Sequence, residues 1–182
     1  MKIAAGELAG LRLIVPPDFA DERGYFLELW SEQAYRALGL DLPFVQDNLS
    51  WSRRGCLRGL HFQNPNAQGK LVSVLQGEVY DVAVDLRRRS PTFGQWSAVI
   101  LSAANKQQLY VPPGFAHGFQ VLSDGALFHY KCTAPYSRPD EHALRWDDPE
   151  LGIAWPLREA LVSPKDAQAP RLQDLPREHL FD

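Results

Sequence analysis

Sulfur is scarce in this chain, with two cysteines and one methionine among 182 residues. Cys56 and Cys132 lie far apart and form no Cys-x-x-Cys pair, so free buried thiols in a reducing compartment are expected. Net charge is scarce too: 19 Lys and Arg against 22 Asp and Glu leave a formal charge of −3. No overall basic field is available to recruit nucleic acid or an anionic membrane, and neither partner is expected. The one dense basic run, Arg87-Arg88-Arg89 before Ser90-Pro91, reads as a solvated turn between strands. No apolar stretch approaches a membrane span, and Met1-Lys-Ile-Ala-Ala-Gly-Glu has no signal-peptide core, so a cytoplasmic location is expected. Repeats, low-complexity tracts and linkers are also missing. The length suits one domain over residues 1–182, large enough to bury a sizeable core.

What is present is a succession of short strand-like runs broken by Gly, Pro, Asn and Asp. They are Leu11–Val15, Gly24–Trp30, Phe44–Ser50, Leu57–Phe62, Lys70–Leu75, Glu78–Leu86, Gln95–Leu101, Gln108–Val111, Gly118–Leu122 and Leu127–Thr133. Turn signals at Gln76-Gly77, Ser90-Pro91, Pro112-Pro113-Gly114 and Asp124-Gly125 separate them. Ser31–Leu40 reads as a short helix with a serine start signal. From Asp147-Asp148-Pro149 onward the chain reads as ordered irregular segments and small helices wrapped over sheets. Strands without alternating helices predict an all-β sandwich or barrel.

Into one of these strands the sequence places Arg58 and His61, with Lys70 soon after. A metal reading of His61 is poor. A strand supplies two ligands most simply as His-x-His, whereas here the companion position is Gln63 and Lys70 follows. A hydrogen-bonded interior histidine is the commoner case. Yet Arg58, Lys70 and His117 share the apolar setting of His61, and buried cations are costly unless they meet an anion or line a cleft. Together they point to a cavity for an anionic ligand. Strict alternation puts Arg58 and His61 on opposite faces, so a β-bulge at Gly59 is predicted to bring both to one side. Pro112-Pro-Gly-Phe-Ala-His117 reads as a tight turn running into a strand with a packed or functional histidine. Tyr130, Cys132 and Tyr136 share one face if their strand stays regular up to Pro135. A phenol facing an imidazole across a cavity suits proton removal and delivery on opposite sides of one carbon.

These stretches resemble the dTDP-4-dehydrorhamnose 3,5-epimerases. The likeness is carried by Asp21-Glu-Arg-Gly-Tyr-Phe-Leu-Glu28, Phe44-Val-Gln-Asp-Asn48, Leu57-Arg-Gly-Leu-His-Phe-Gln63 and Ala67-Gln-Gly-Lys-Leu-Val72. Val111-Pro-Pro-Gly-Phe-Ala-His-Gly-Phe119, Trp146-Asp-Asp-Pro149 and Ser163-Pro-Lys-Asp166 extend it almost end to end. The resemblance implies an all-β, cupin-type jelly roll with a few short peripheral helices, no metal or other cofactor, and a homodimer. The implied reaction inverts C3 and C5 of dTDP-4-dehydro-6-deoxy-D-glucose. Residue by residue, His61 matches the general base, Asp166 its carboxylate partner, Tyr130 the acid on the opposite face and Lys70 a cation near the sugar oxygens. Arg23, Glu28, Gln46, Asp47, Asn48, Arg58, His117, Glu141 and Lys165 match substrate-binding positions, Arg23 and Glu28 reaching across the dimer. Tyr136 matches an aromatic that stacks near the nucleotide, and Phe26 is pocket wall or core.

The residue types suit that chemistry. Imidazole, with an unperturbed pKa of about 6.5, offers a neutral fraction as base, and tyrosine, at about 10, stays protonated as an acid. A carbon acid beside a ketone is far weaker than imidazolium, so the enolate must be stabilised where it forms, which Lys70 would do. Arginine forks suit a diphosphate. A relative inverting one centre would use the same base and acid. A 3,4-ketoisomerase is disfavoured by the Asp166 match and the extent of the resemblance, and a non-catalytic sugar-nucleotide-binding cupin would not require both His61 and Tyr130.

Overall fold

The computed structural model describes residues 1–40 and 43–182. Its strands are β1 (Lys2–Ala5), β2 (Arg12–Val15), β3 (Asp18–Asp21), β4 (Gly24–Leu27), β5 (Gln46–Arg53), β6 (Cys56–Gln63) and β7 (Lys70–Gln76). They continue with β8 (Glu78–Asp85), β9 (Trp96–Ser102), β10 (Gln108–Val111), β11 (Phe115–Val121), β12 (Gly125–Cys132), β13 (Glu141–Ala143) and β14 (Leu161–Val162). Two short α-helices, α1 (Glu32–Arg36) and α2 (Pro164–Ala167), and single 3-10 turns at Arg138–Asp140, Leu172–Asp174 and Arg177–His179 lie outside the strands. One antiparallel sheet runs β1-β2-β10-β7-β12-β5 and the other β13-β6-β11-β8-β9, with β14 parallel to β6. The expected all-β sandwich with short peripheral helices is what the chain forms. No described helix is long and apolar enough to cross a membrane.

Alternation accounts for the core. Val72 and Val74 of β7, Ala126 and Phe128 of β12, Val79 and Ala83 of β8, and Phe115, Phe119 and Val121 of β11 meet between the sheets. Phe119 and Phe128 stack across them with centroids 3.9 Å apart. A second cluster lies on the outer face of the other sheet, where Leu60, Phe62, Val82, Val84 and Ala116 pack under Leu144, Leu151 and Leu175 of the last third of the chain. That cover explains why all seven residues of β11 are buried: it lies between two layers, and its two buried polar side chains are hydrogen-bonded, His117 to Asp81 and Gln120 to the Leu157 carbonyl. Similarly, α1 drops Tyr35 onto Ile14, Leu71 and Tyr110 on the outside of the first sheet.

Several boundaries differ from the sequence reading. The helix ends at Arg36 rather than Leu40, with Ser31 accepting from the Ala34 N–H as predicted and Gly39 at φ +82 turning the chain away. The Gly24–Trp30 run is a strand only to Leu27, folded back on β3 as a hairpin separate from both sheets. Phe26, expected as pocket wall or core, is 67% exposed there. Arg87 is no solvated turn residue: its guanidinium grips buried Asp85 and lies 4.6 Å over the Phe115 ring.

Gly59 does carry the predicted bulge. His117 pairs with His61 and Phe119 with Arg58, so β6 holds one more residue than β11 between those rungs. Gly59 has φ +131, and a Cβ there would sit 2.6 Å from the Gly118 Cα. Two glycines face each other because nothing larger fits the close approach.

Candidate active site

The bulge turns Arg58 and His61 to one side, where both line a pocket of about 360 Å³ between the sheets. Lys70 at the start of β7, His117 of β11, Tyr130 of β12, and Lys165 and Asp166 of α2 line it too. Phe119 and Phe128 give it an apolar floor. A second pocket of about 250 Å³ shares His61, Lys70, Tyr130 and Glu141 with the first, and adds Gln46, Asn48, Cys132 and Tyr136, with Phe62, Gln63 and Gln68 completing its wall. Tyr130, Cys132 and Tyr136 thus line one pocket, but not as one strand face: β12 ends at Cys132 and Tyr136 reaches the pocket from the irregular segment beyond it. Both cysteines are free thiols, Cys132 buried and Cys56 half-buried in the first pocket.

His61 Nε2 lies 2.6 Å from Asp166 Oδ1. The imidazole is partly open to the pocket while the carboxylate is almost fully buried. Ser163 caps α2 by accepting the Asp166 N–H, and Asp166 Oδ2 accepts the Gly59 N–H at 3.5 Å. Burial opposes charge on Asp166, yet the hydrogen bond and charge of His61 and the Gly59 amide outweigh it and hold the carboxyl below its ordinary value. An ionised partner on Nε2 makes that nitrogen the donor and leaves the lone pair on the other ring nitrogen.

His117 forms a second pair of this kind, its Nε2 being 2.9 Å from Asp81 Oδ1 with both side chains buried. Asp81 escaped the sequence reading. Its signal was a carboxylate alternating in phase with inward-facing Val79 and Ala83 on β8.

Tyr130 is half-buried. Burial and the neighbouring Cys132 and Glu141 push its phenol above the ordinary range, against the pull of Arg58. Lys70 sits with Nζ 3.5 Å from the His61 carbonyl. Burial lowers its pKa, opposed by Cys132, Asp81 and Glu141. Arg58 donates to Ser52 Oγ at 2.9 Å. Glu141 Oε2 accepts the Tyr136 hydroxyl at 2.9 Å and pairs with Lys165. Against the cost of burial, those partners keep Glu141 below its ordinary pKa.

Three predicted site residues lie elsewhere. Asp47 alternates to the opposite face of β5 from Gln46 and Asn48, where His129 and Lys131 hold its carboxylate. Arg23 is bound to Asp21 at the exposed tip of the β3–β4 hairpin, and Glu28 follows that hairpin, exposed. Neither is among the described lining of the two pockets. No group of three or more His, Cys, Asp or Glu side chains among the described residues converges as a metal site requires.

The family model for dTDP-4-dehydrorhamnose 3,5-epimerase matches residues 5–174. A protein of that description from Salmonella typhimurium is 53% identical over 163 residues, covering 88% of this chain and 89% of its own. The crystal structure of dTDP-6-deoxy-D-glucose-3,5-epimerase from Legionella pneumophila, in complex with dTDP-4-keto-L-rhamnose, superposes with a TM-score of 0.97. It is 50% identical and covers 99% of this chain and 97% of its own. A 3'-monoepimerase from Streptomyces bikiniensis, solved with dTDP-quinovose, matches less closely, with a TM-score of 0.86 and 37% identity over 92% of this chain and 86% of its own.

Proposed function

This chain belongs to the dTDP-4-dehydrorhamnose 3,5-epimerase family, and we propose that it carries out the family's reaction with the side chains of the shared pocket as follows. The activity is inversion of C3 and C5 of dTDP-4-dehydro-6-deoxy-D-glucose to give dTDP-4-dehydro-L-rhamnose. The observation that carries the mechanism is the 2.6 Å His61–Asp166 pair opening into the same pocket as Tyr130 and Lys70.

His61, through the ring nitrogen not bonded to Asp166, removes the proton from a carbon beside the C4 ketone. Asp166 fixes the ring's orientation and stabilises the imidazolium as it forms. The electron pair of the broken C–H bond moves into the enolate, whose oxygen lies near the Lys70 ammonium. A cation poorly solvated by its surroundings gains more from a new anion than a hydrated one, so Lys70 favours the transition state over the ground state. Tyr130 then delivers a proton to the opposite face as the enolate collapses to the ketone. His61 releases its proton to solvent, the Tyr130 phenolate takes one up, and the reset pair repeats the cycle at the second carbon to complete the double inversion. Its raised pKa keeps the phenol protonated at neutral pH and above.

His117, braced by Asp81, and Glu141 hold the sugar, while Arg58 and Lys165 take negative charge of the diphosphate. Tyr136, with Gln46 and Asn48, faces the nucleotide in the second pocket. Arg23 and Glu28 complete the site of a second copy in a homodimer. The hairpin that carries them supports this: it pairs with neither sheet and holds Phe19, Tyr25 and Phe26 at 57–67% exposure.

Incubation with dTDP-4-dehydro-6-deoxyglucose in deuterated water, read by NMR, tests the reaction. Label at both C3 and C5 is expected; label confined to one carbon would make the chain a single-centre epimerase.

A further inference from the structure

The strand that carries His61 ends at Gln63, a buried side chain that the mechanism leaves without a task. Its surroundings give it one. Residues 133–137 leave β12 and carry Tyr136, which is 53% exposed and is tied to Glu141 only through its hydroxyl tip. The main chain of this segment is held almost group by group. Gln68 Nε2 donates to the Ala134 carbonyl at 2.9 Å and Gln63 Nε2 to the Pro135 carbonyl at 3.2 Å. Gln46 Oε1 accepts the Tyr136 N–H at 2.8 Å, and Gln63 Oε1 accepts the Ser137 N–H at 2.8 Å. Thr133 and Gly69 close the near end, N–H to carbonyl at 3.0 Å and N–H to hydroxyl at 2.7 Å.

We infer that Gln63 is a positioning residue for nucleotide binding: with Gln46 and Gln68 it forms a cradle of amides that fixes Tyr136 at a set distance from His61. The role rests on the reading that Tyr136 stacks near the nucleotide. A carboxamide suits the task because it offers donor and acceptor together, and Gln63 uses both on one loop. Its amide also donates to the Asn66 carbonyl at 2.8 Å, tying the 64–67 turn to the same point. Glutamate lacks the donor; histidine, the residue a paired strand ligand would need here, is too short and rigid to span both carbonyl and N–H. His61 and Gln63 sit two apart on one strand, so base and clamp share a face and a rigid spacing.

The test uses Gln63→Met, which keeps volume and removes both polar ends, read by amide exchange at Ser137 and by dTDP binding. Losing its two hydrogen bonds to the 133–137 segment, along with the one to the Asn66 carbonyl, should raise the dTDP Kd and the KM about tenfold, with kcat changed far less. Ser137 should exchange faster while β8 and β11 keep their protection, which also shows that the variant folds. In a Tyr136→Ala background, Gln63→Met should weaken dTDP no further, since both changes remove one interaction. Gln68→Met, which loses a single bond at a less buried position, should show the same pattern at about threefold, and carries the test if Gln63→Met does not fold.

Unchanged Ser137 exchange in Gln63→Met would overturn the cradle. So would faster exchange with unaltered dTDP affinity while Tyr136→Ala weakens binding. If Tyr136→Ala itself leaves dTDP affinity unaltered, the stacking reading fails and the positioning role falls with it, whereas the Ser137 exchange rate still reports whether the amides hold the loop.

Discussion

In the pocket, polar side chains point inward and each carboxylate has a partner: Asp166 with His61, Asp81 with His117, Glu141 with Lys165 and Tyr136. On the β3–β4 hairpin the arrangement is reversed. All four residues of β3 are exposed, and Phe19, Tyr25 and Phe26 hold their rings in solvent. The hairpin is nevertheless anchored, since the Lys106 ammonium pairs with Asp18 of β3 and lies 4.1 Å over the Tyr25 ring of β4. One region finds a partner for each of its carboxylates within a single chain, although Asp81 Oδ2 is buried without one among the described residues. The other is a held, apolar projection: Phe19 and Phe26 face each other with centroids 6.4 Å apart and Tyr25 carries Lys106, yet all three rings remain more than half exposed, as the proposed contact with a second copy requires.

The largest effect that would separate the two is at the base. His61→Ala should lower turnover by about 10²–10⁴-fold, the span usual for a general base, and abolish solvent deuterium uptake into the ketosugar. dTDP binding should persist in calorimetry, because Tyr136, Gln46 and Asn48, proposed to face the nucleotide, and Arg58 and Lys165, proposed to hold the diphosphate, are all retained. Exchange that continues in this variant would remove His61 from its role.

Arg23→Ala on the hairpin should cost less, about 10–100-fold in kcat/KM, as expected for loss of a charge-assisted contact. Its diagnostic value lies in mixing. A chain bearing His61→Ala and a chain bearing Arg23→Ala are each defective, but a mixed dimer rebuilds one intact site if the hairpin serves the neighbouring copy. Recovered activity on mixing, absent when both substitutions sit in one chain with wild-type His61 lacking everywhere, is the expected result. No recovery would confine Arg23 to its own chain and break the contrast drawn above.

The two regions also differ in how far the sequence foretold them. Alternation placed Tyr130 and Cys132 on one face, and the need to bring Arg58 and His61 to one face pointed to the bulge at Gly59. Both follow from the period of two, a local property of a strand half buried on one face. Where burial does not alternate, the signal vanishes. Asp18–Asp21 is exposed throughout and carries no strand signal; Phe115–Val121 is buried throughout, and the pattern begins the strand only at His117–Gly118, missing Phe115 and Ala116. Asp81 was passed over because one carboxylate within an apolar strand says nothing of the histidine it will meet 36 residues later. The His61–Asp166 contact spans 105 residues, and only the family resemblance proposed it. Asp47 shows the reverse hazard: a matched position whose side chain, in this single chain, belongs to Lys131 and His129.

The smallest effect on catalysis should come from a buried charge that serves the fold alone. Asp85 is fully buried, receives Arg87, Ser90 and Thr92, and through those bonds has its pKa lowered to about 2 against the cost of burial. Because that value lies below the unfolded one, the folded state holds fewer protons, and the stabilisation is complete above about pH 4 and lost as pH falls toward 2. Asp85→Asn should therefore leave kcat near wild type while lowering unfolding stability in urea by about 2 kcal/mol at pH 7. The gap from wild type should narrow steadily in acid. A gap that stays constant with pH would mean the carboxylate acts through packing rather than charge. A large loss of turnover would mean that the β8 end is coupled to the pocket through Asp81 on the same strand, and the line between a region built for chemistry and one built for folding would have to be redrawn.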